Sequence, residues 1–218
     1  MERIPALPRP AIDDLRVPGR TVDLERADVM IHGDDLWRAI GSRDDLWTGI
    51  PSGPFADRDA FIDWLADRCR RDDQRAYAIL DKTGEPRAEG LLFLLQVKPD
   101  MGTCEIGLVY GPGLSRTVGG TEAVYLLCRL VLETHGYRRL EWRCGPDNAA
   151  SGRAARRYGF TYEGTLRQTY WVKGHNWDTE IYSILDHEWP AVARRFSAWL
   201  DPANFGADGR QIRGLAEL

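Results

Sequence analysis

The chain has 218 residues, 43% hydrophobic and 28% charged, and carries a formal net charge of −4 at pH 7. That length suits one domain with a proper core. The acidic balance excludes a non-specific polyanion binder, whose affinity comes from clustered lysines and arginines, so nucleic acid is not an expected partner. The apolar run at residues 91–95 is far below the roughly 20 residues of a bilayer span, and Met1-Glu2-Arg3-Ile4-Pro5 lacks the apolar core of a secretory signal. A cytoplasmic protein with no membrane partner is expected.

In chain order, residues 1–15 are proline-rich and read as an irregular leader, residues 16–190 as the folded domain, and residues 191–218 as a C-terminal helix and tail that packs on the domain or joins a homodimer. A short strand is predicted over residues 21–25. Helical spacing follows over residues 34–40 and 57–69, with Asp57 as N-cap of the second. Between them, Gly49, Pro51, Gly53 and Pro54 forbid regular structure and place a loop beside Trp47 and Phe55. Strands over 76–80, 89–97 and 103–110 make an antiparallel meander. A helix over 121–135, stopped by Gly136, crosses over to a parallel strand at 138–144. A helix over 148–158 ends at Gly159, and strands near 160–172 and 179–185 complete the sheet. Cys69, Cys104, Cys128 and Cys144 form no CxxC pair and sit in apolar stretches, so reduced thiols are expected. The four histidines lack metal-site spacing, and no metal is expected.

The most informative junction is the run from Gly111 to Gly120, between a strand and a helix. A glycine-rich turn entering a helix N-terminus offers unpaired N–H groups to an anion, although such glycines also serve simply as loop and cap. The run matches neither GxxxxGK[ST] nor GxGxxG. Arg116-Thr117-Val118-Gly119-Gly120-Thr121 resembles the Q/R-x-x-G-x-G/A coenzyme A loop of the GNAT superfamily, with Thr121 in place of a smaller residue. Thr121-Glu122-Ala123, Asn148-Ala149-Ala150-Ser151, Tyr158-Gly159-Phe160 and Glu163-Gly164 are similar to motifs of its RimJ/RimL-like branch. The likeness includes Trp47, Gly53-Pro54-Phe55, Glu105-Ile106-Gly107 and Lys173-Gly174, and covers roughly residues 20–189.

The resemblance implies a single α/β domain of the α+β type, with a mixed, twisted sheet of six or seven strands flanked by helices. It implies acetyl-CoA as co-substrate, with the pyrophosphate on the loop from Arg116 to Thr121, through Thr117, Val118, Gly119 and Gly120, and the pantetheine arm beside Val109 and Asn148. The implied reaction is direct transfer of an acetyl group, in a ternary complex, to a primary amine of a small molecule or a protein N-terminus. Transfer needs a neutral amine, a donor for the developing oxyanion and a proton for the thiolate. Glu105 is the candidate base, the N–H of Val109 the oxyanion donor and Ser151 the candidate acid; the tyrosine many relatives carry is replaced by Ala155. Cys104 or Cys144 as acyl carriers form a weaker alternative, and a non-catalytic acyl-CoA-binding protein is the rival reading. Trp47, Phe55, Tyr170 and Trp177 are candidates for the acceptor side. The many aspartates among the first 75 residues suggest attraction of a cationic amine.

Overall fold

The computed structural model describes residues 7–218; residues 1–6 of the expected leader lie outside that range. Among the described residues eight strands form one sheet: β1 (Arg16–Pro18), β2 (Val22–Arg26), β3 (Arg75–Asp81), β4 (Arg87–Lys98), β5 (Thr103–Tyr110), β6 (Arg139–Cys144), β7 (Thr161–Val172) and β8 (His175–Leu185). Their order is β1-β2-β3-β4-β5-β6-β8-β7. The α/β class is as expected, but the strand count is eight rather than six or seven. The addition is β1, three residues long and ending in proline, too short to show an alternating pattern. It pairs antiparallel with β2 and is pinned by the Arg16–Asp23 ion pair at 2.5 Å.

Among the described residues five α-helices flank the sheet: α1 (Val29–Leu36), α2 (Arg58–Arg70), α3 (Val118–Arg129), α4 (Ala149–Arg157) and α5 (Trp189–Leu200). Side-chain caps set several starts. Asp28 accepts the N–H groups of Met30 and Ile31, so α1 begins earlier than the apolar spacing suggests. Asp57 caps α2 through the N–H of Ala60, as expected. Thr117 caps α3 through the N–H of Gly120 at 3.1 Å, which starts that helix three residues before Thr121. Wider turns at Trp37–Gly41 and Leu130–Thr134 continue α1 and α3.

The two faces of the sheet carry separate cores, because successive strand residues point to opposite sides. Cys104 and Ile106 of β5 pack with Tyr77, Leu92, Leu94 and the apolar sides of α3 and α5. Val109 of the same strand packs with Leu91, Phe93, Trp47 and the apolar sides of α1 and α2. The alternation therefore assigns Glu105, Gly107 and Val109 to the α1/α2 face. Ile12 from the leader is wholly buried in the α3/α5 core, as are Phe196 and nearly all of Trp199 from α5.

The feature that positions the site is a divergence between β5 and β6. These parallel strands pair only over Thr103–Ile106 and Arg139–Trp142, whereas β5 remains paired with β4 as far as Tyr110. Beyond Ile106 the sheet opens.

Candidate active site

A cleft of about 1210 Å³ passes through this opening. One mouth lies at the start of α3 and α4, the other on the α1/α2 face between the 47–55 loop, the end of α2 and the β7–β8 hairpin. Val109 lines it between the two.

At the first mouth, Arg116, Thr117, Gly120 and Thr121 line the cleft, while the neighbouring Val118 and Gly119 do not. Arg116 takes a left-handed conformation, φ 62°, which turns the chain into the helix. Thr117 then caps the helix, leaving the N–H groups of Val118 and Gly119 among the open donors of the first turn. Gly120 has a packing reason as well: a Cβ there would sit 2.3 Å from the carbonyl oxygen of Leu114. Arg157 reaches Thr121 Oγ1 at 3.2 Å, and Arg153 also lines this mouth. The other arginines behind the loop are held elsewhere, Arg139 by Glu163 at 2.6 Å and Arg143 by Glu141 at 2.8 Å. Open amides, a helix dipole and three arginines suit a polyphosphate, so these residues fit the coenzyme's pyrophosphate.

Ladder parity decides which β5 amides face the opening. The N–H of Gly111 bonds to the oxygen of Glu89 at 2.8 Å, and the register runs without a shift from Gly90↔Tyr110 to Leu95↔Glu105. Hydrogen-bonded pairs alternate along an antiparallel ladder, so Val109 bonds towards Leu91. The N–H groups of Leu108 and Tyr110 point the other way, into the opening. The bond from the N–H of Arg138 to the oxygen of Gly102, 2.9 Å, fixes the same parity on the β6 side. The side chain of Val109 lines the cleft, but its N–H, expected as the oxyanion donor, is turned towards β4, and the free amides are those that flank it.

On the α1/α2 face, Glu105 lies largely buried at the foot of the divergence. Its carboxylate accepts Gln96 Nε2 at 3.2 Å and lies 3.4 Å from Arg143 Nε. Burial pushes its pKa up to about 7, with Arg143 pulling it down and Glu141 pushing it up. Gln96 reaches it from a bulge in β4, at φ 47°.

Ser151 sits in the first turn of α4, where its N–H bonds to the Asn148 cap at 3.1 Å. Its Oγ accepts Trp142 Nε1 at 3.0 Å, so the hydroxyl acts as a donor, with the Cys144 thiol within its reach. Burial pushes the neighbouring Cys144 thiol up, opposed by a hydrogen bond from Ser151. Cys104 is buried and its thiol is also pushed up by burial, the opposite of an activated acyl carrier. Ala155 is wholly buried, and Tyr158 packs against Trp142 and Phe196 at ring-centroid distances of 6.0 and 5.9 Å.

Four candidates for the acceptor side separate into two groups. Trp47 lines the cleft but is wholly buried, its indole bonded to the oxygen of Ile40 at 2.9 Å. Phe55 is not a lining residue; it packs edge-on against Trp47, centroids 4.9 Å apart. Tyr170 and Trp177, paired across the β7–β8 hairpin, both line the cleft. Tyr170 accepts a hydrogen bond from Arg143 at 3.3 Å. Lys173, part of the Lys173-Gly174 likeness but not a site candidate from sequence, bonds through its ammonium to the oxygens of Trp47 and Ile50 at 2.7 and 2.8 Å and ties the hairpin to the loop. Sequence reading passed over Gln96 and Arg68, whose place depends on tertiary contacts.

The aspartate-rich tract does not form an acidic acceptor mouth. Asp34 pairs with Arg58, Asp35 with Arg38 and Asp45 with Arg43, and Asp57 is a helix cap. Asp73 lines the cleft, where Arg71 neutralises it at 3.2 Å.

The family model for the acetyltransferase (GNAT) domain matches residues 25–161. The chain belongs to the GNAT acetyltransferase family. A GCN5-related N-acetyltransferase from Brucella melitensis is 38% identical, with 97% of each chain covered and a TM-score of 0.92. A probable GNAT-family acetyltransferase from Chromobacterium violaceum is 44% identical over 81% of this chain and 88% of its own, TM-score 0.77. The Salmonella typhimurium acetyl transferase that modifies the N-terminal serine of ribosomal protein L7/L12 shares the fold at 20% identity, TM-score 0.68, over 78% and 98% of the two chains. The search of curated proteins returned no match. Among the described residues, no group of His, Cys, Asp and Glu is placed to hold a metal ion, and no helix is long and apolar enough to cross a membrane.

Proposed function

We propose that this chain is an acetyl-CoA-dependent N-acetyltransferase acting directly on a primary amine, with no covalent acyl-enzyme. The observation that carries this reading is the through-sheet cleft: a cationic, amide-rich helix terminus at one mouth and a buried carboxylate held near neutral pKa at the other. Acetyl-CoA, when bound, supplies an acyl thioester. The loop from Arg116 to Thr121, with Arg153 and Arg157, holds the pyrophosphate, and Asn148 and Val109 border the arm. The N–H groups of Leu108 and Tyr110 are the donors available to an acyl oxygen lodged in the opening.

Glu105 takes a proton from the incoming ammonium, leaving a neutral nitrogen. A pKa near 7 suits that task, because the carboxylate is ionised in a useful fraction and is still basic enough to accept a proton. As the nitrogen bonds to the acyl carbon the C–S bond breaks; Ser151, its oxygen already engaged by Trp142, donates a hydrogen bond to the departing sulfur, and the proton that the nitrogen sheds converts that sulfur to the free thiol. The acceptor is a small-molecule amine or a protein N-terminus.

The test incubates the protein with acetyl-CoA and separate pools of polyamines, amino acids, aminoglycosides and peptides, and measures free coenzyme A thiol against controls without acceptor. Thiol release in one pool is expected. Silence in every pool, with acetyl-CoA bound, would favour a non-catalytic acyl-CoA-binding protein.

A further inference from the structure

Five charged side chains line the acceptor mouth: Arg68, Arg71, Asp73, Glu105 and Arg143. Four have opposite-charge partners. Arg71 holds Asp73 at 3.2 Å, and Arg143 lies 2.8 Å from Glu141 and 3.4 Å from Glu105. Arg68 has no carboxylate within ion-pair distance among the described residues. Its Nε is buried without a hydrogen-bond acceptor, and its guanidinium lies 5.8 Å from the centroid of the Trp64 ring. Burial strips hydration from this cation, and Asp67 and Asp73 act on it only from beyond ion-pair distance. Because Nε is closed off, an anion arriving in the cleft that Arg68 lines would pair with the terminal nitrogens of the guanidinium.

The backbone at Arg68 is tied to the segment that carries the reacting end. Gln74 Nε2 bonds to the oxygen of Arg68 at 2.7 Å, closing the end of α2. The N–H of Val97 bonds to the oxygen of Asp73 at 2.9 Å, which seats this segment against the β4 bulge. The adjacent Gln96 reaches Glu105 at 3.2 Å. Arg68 and Glu105 therefore line the same mouth on one face of the sheet, with Trp64, Phe93 and Leu95 along the cleft wall.

We infer that the acceptor is a zwitterionic amine of the amino-acid type, its carboxylate bound by Arg68 while its nitrogen lies at Glu105. This rests on the transferase reading for the role of Glu105, but the carboxylate subsite is a property of Arg68 and can be tested without turnover. A planar guanidinium matches a carboxylate in two-pronged geometry. The net positive lining disfavours a polyamine, which brings only further positive charge.

The experiment measures calorimetric binding of N-acetyl amino acids, alongside the matching N-acetyl amino acid amides, to the protein with coenzyme A present. Wild type, Arg68→Gln and Arg68→Lys are compared, with melting temperatures confirming that the variants fold. The free carboxylates should bind at least tenfold more tightly than the amides, as a charge-assisted hydrogen bond allows. Arg68→Gln should erase that preference and Arg68→Lys restore part of it. Equal affinities, a preference unchanged in Arg68→Gln, or no binding of any N-acetyl amino acid would overturn the inference. In the turnover pools, free amino acids should be consumed in preference to their amides and to peptides; preference for peptide N-termini or polyamines would also overturn it. Silence in all turnover pools combined with an Arg68-dependent carboxylate preference in binding would count against acetyl transfer and leave the subsite standing.

Discussion

The two mouths of the cleft are built in different ways. The α3 mouth is local: one turn, one cap and one helix terminus place its donors, with Arg153 and Arg157 added from α4, and much of its chemistry is main chain. The acceptor mouth is assembled from the 47–55 loop, α2, the β4 bulge, β5, β6 and the hairpin, and its chemistry is almost wholly side chain. A main-chain site tolerates changes of side chain as long as the backbone keeps its path. A side-chain site depends on individual residues and on the packing that orients them, so the effects of substitution should divide along this line.

The largest effect is expected at Glu105. Glu105→Gln should lower kcat/KM by roughly 10²- to 10⁴-fold while leaving coenzyme A affinity within a few-fold of wild type, as read by steady-state kinetics and calorimetry. Trp47→Ala removes the centre of an aromatic group that includes Phe55, Phe61 and Trp64; it should cost about 3–5 kcal/mol of stability in denaturant unfolding. Equal stability would show that the acceptor wall is not supported by this cluster. At the other mouth, Gly120→Ala forces a Cβ against the oxygen of Leu114, and a loss of about 1–3 kcal/mol with weakened coenzyme binding is expected. By contrast, Val118→Ala, whose side chain does not line the cleft, should leave coenzyme affinity nearly unchanged.

The smallest effect concerns stability against pH. Glu105 has a folded-state pKa of about 7, above the ordinary value of 4.5. The folded protein therefore binds this proton more tightly than the unfolded chain does. The associated stability is fully present below about pH 4.5 and is lost as pH rises through about 7. Denaturant midpoints measured between pH 4.5 and 8 should fall less steeply in Glu105→Gln than in wild type.

The same contrast explains what was legible in the sequence. Strand and helix periodicities placed seven of the eight strands, and the loop from Arg116 to Thr121 was visible because its residues are contiguous. The start of α3 was missed because Thr117 acts as a cap, which apolar spacing does not report. The three-residue β1 carries no alternation to detect. Nothing in sequence revealed that Gln96 sits in a left-handed bulge beside Glu105, that Lys173 clasps a loop more than 120 residues away, or that Arg68 lacks a partner. The aspartate-rich tract misled for a related reason: composition counts charges, whereas ion pairs and caps decide which of them face a ligand.

The most direct test of the account is the pH dependence of kcat/KM for acetyl transfer in wild type and Glu105→Gln. Wild-type activity should rise with pH through a group titrating near 7, and the residual activity of Glu105→Gln should lack that limb. An unchanged profile and rate in the variant would contradict the assignment of Glu105 as the base and, with it, the placement of the amine on the α1/α2 face.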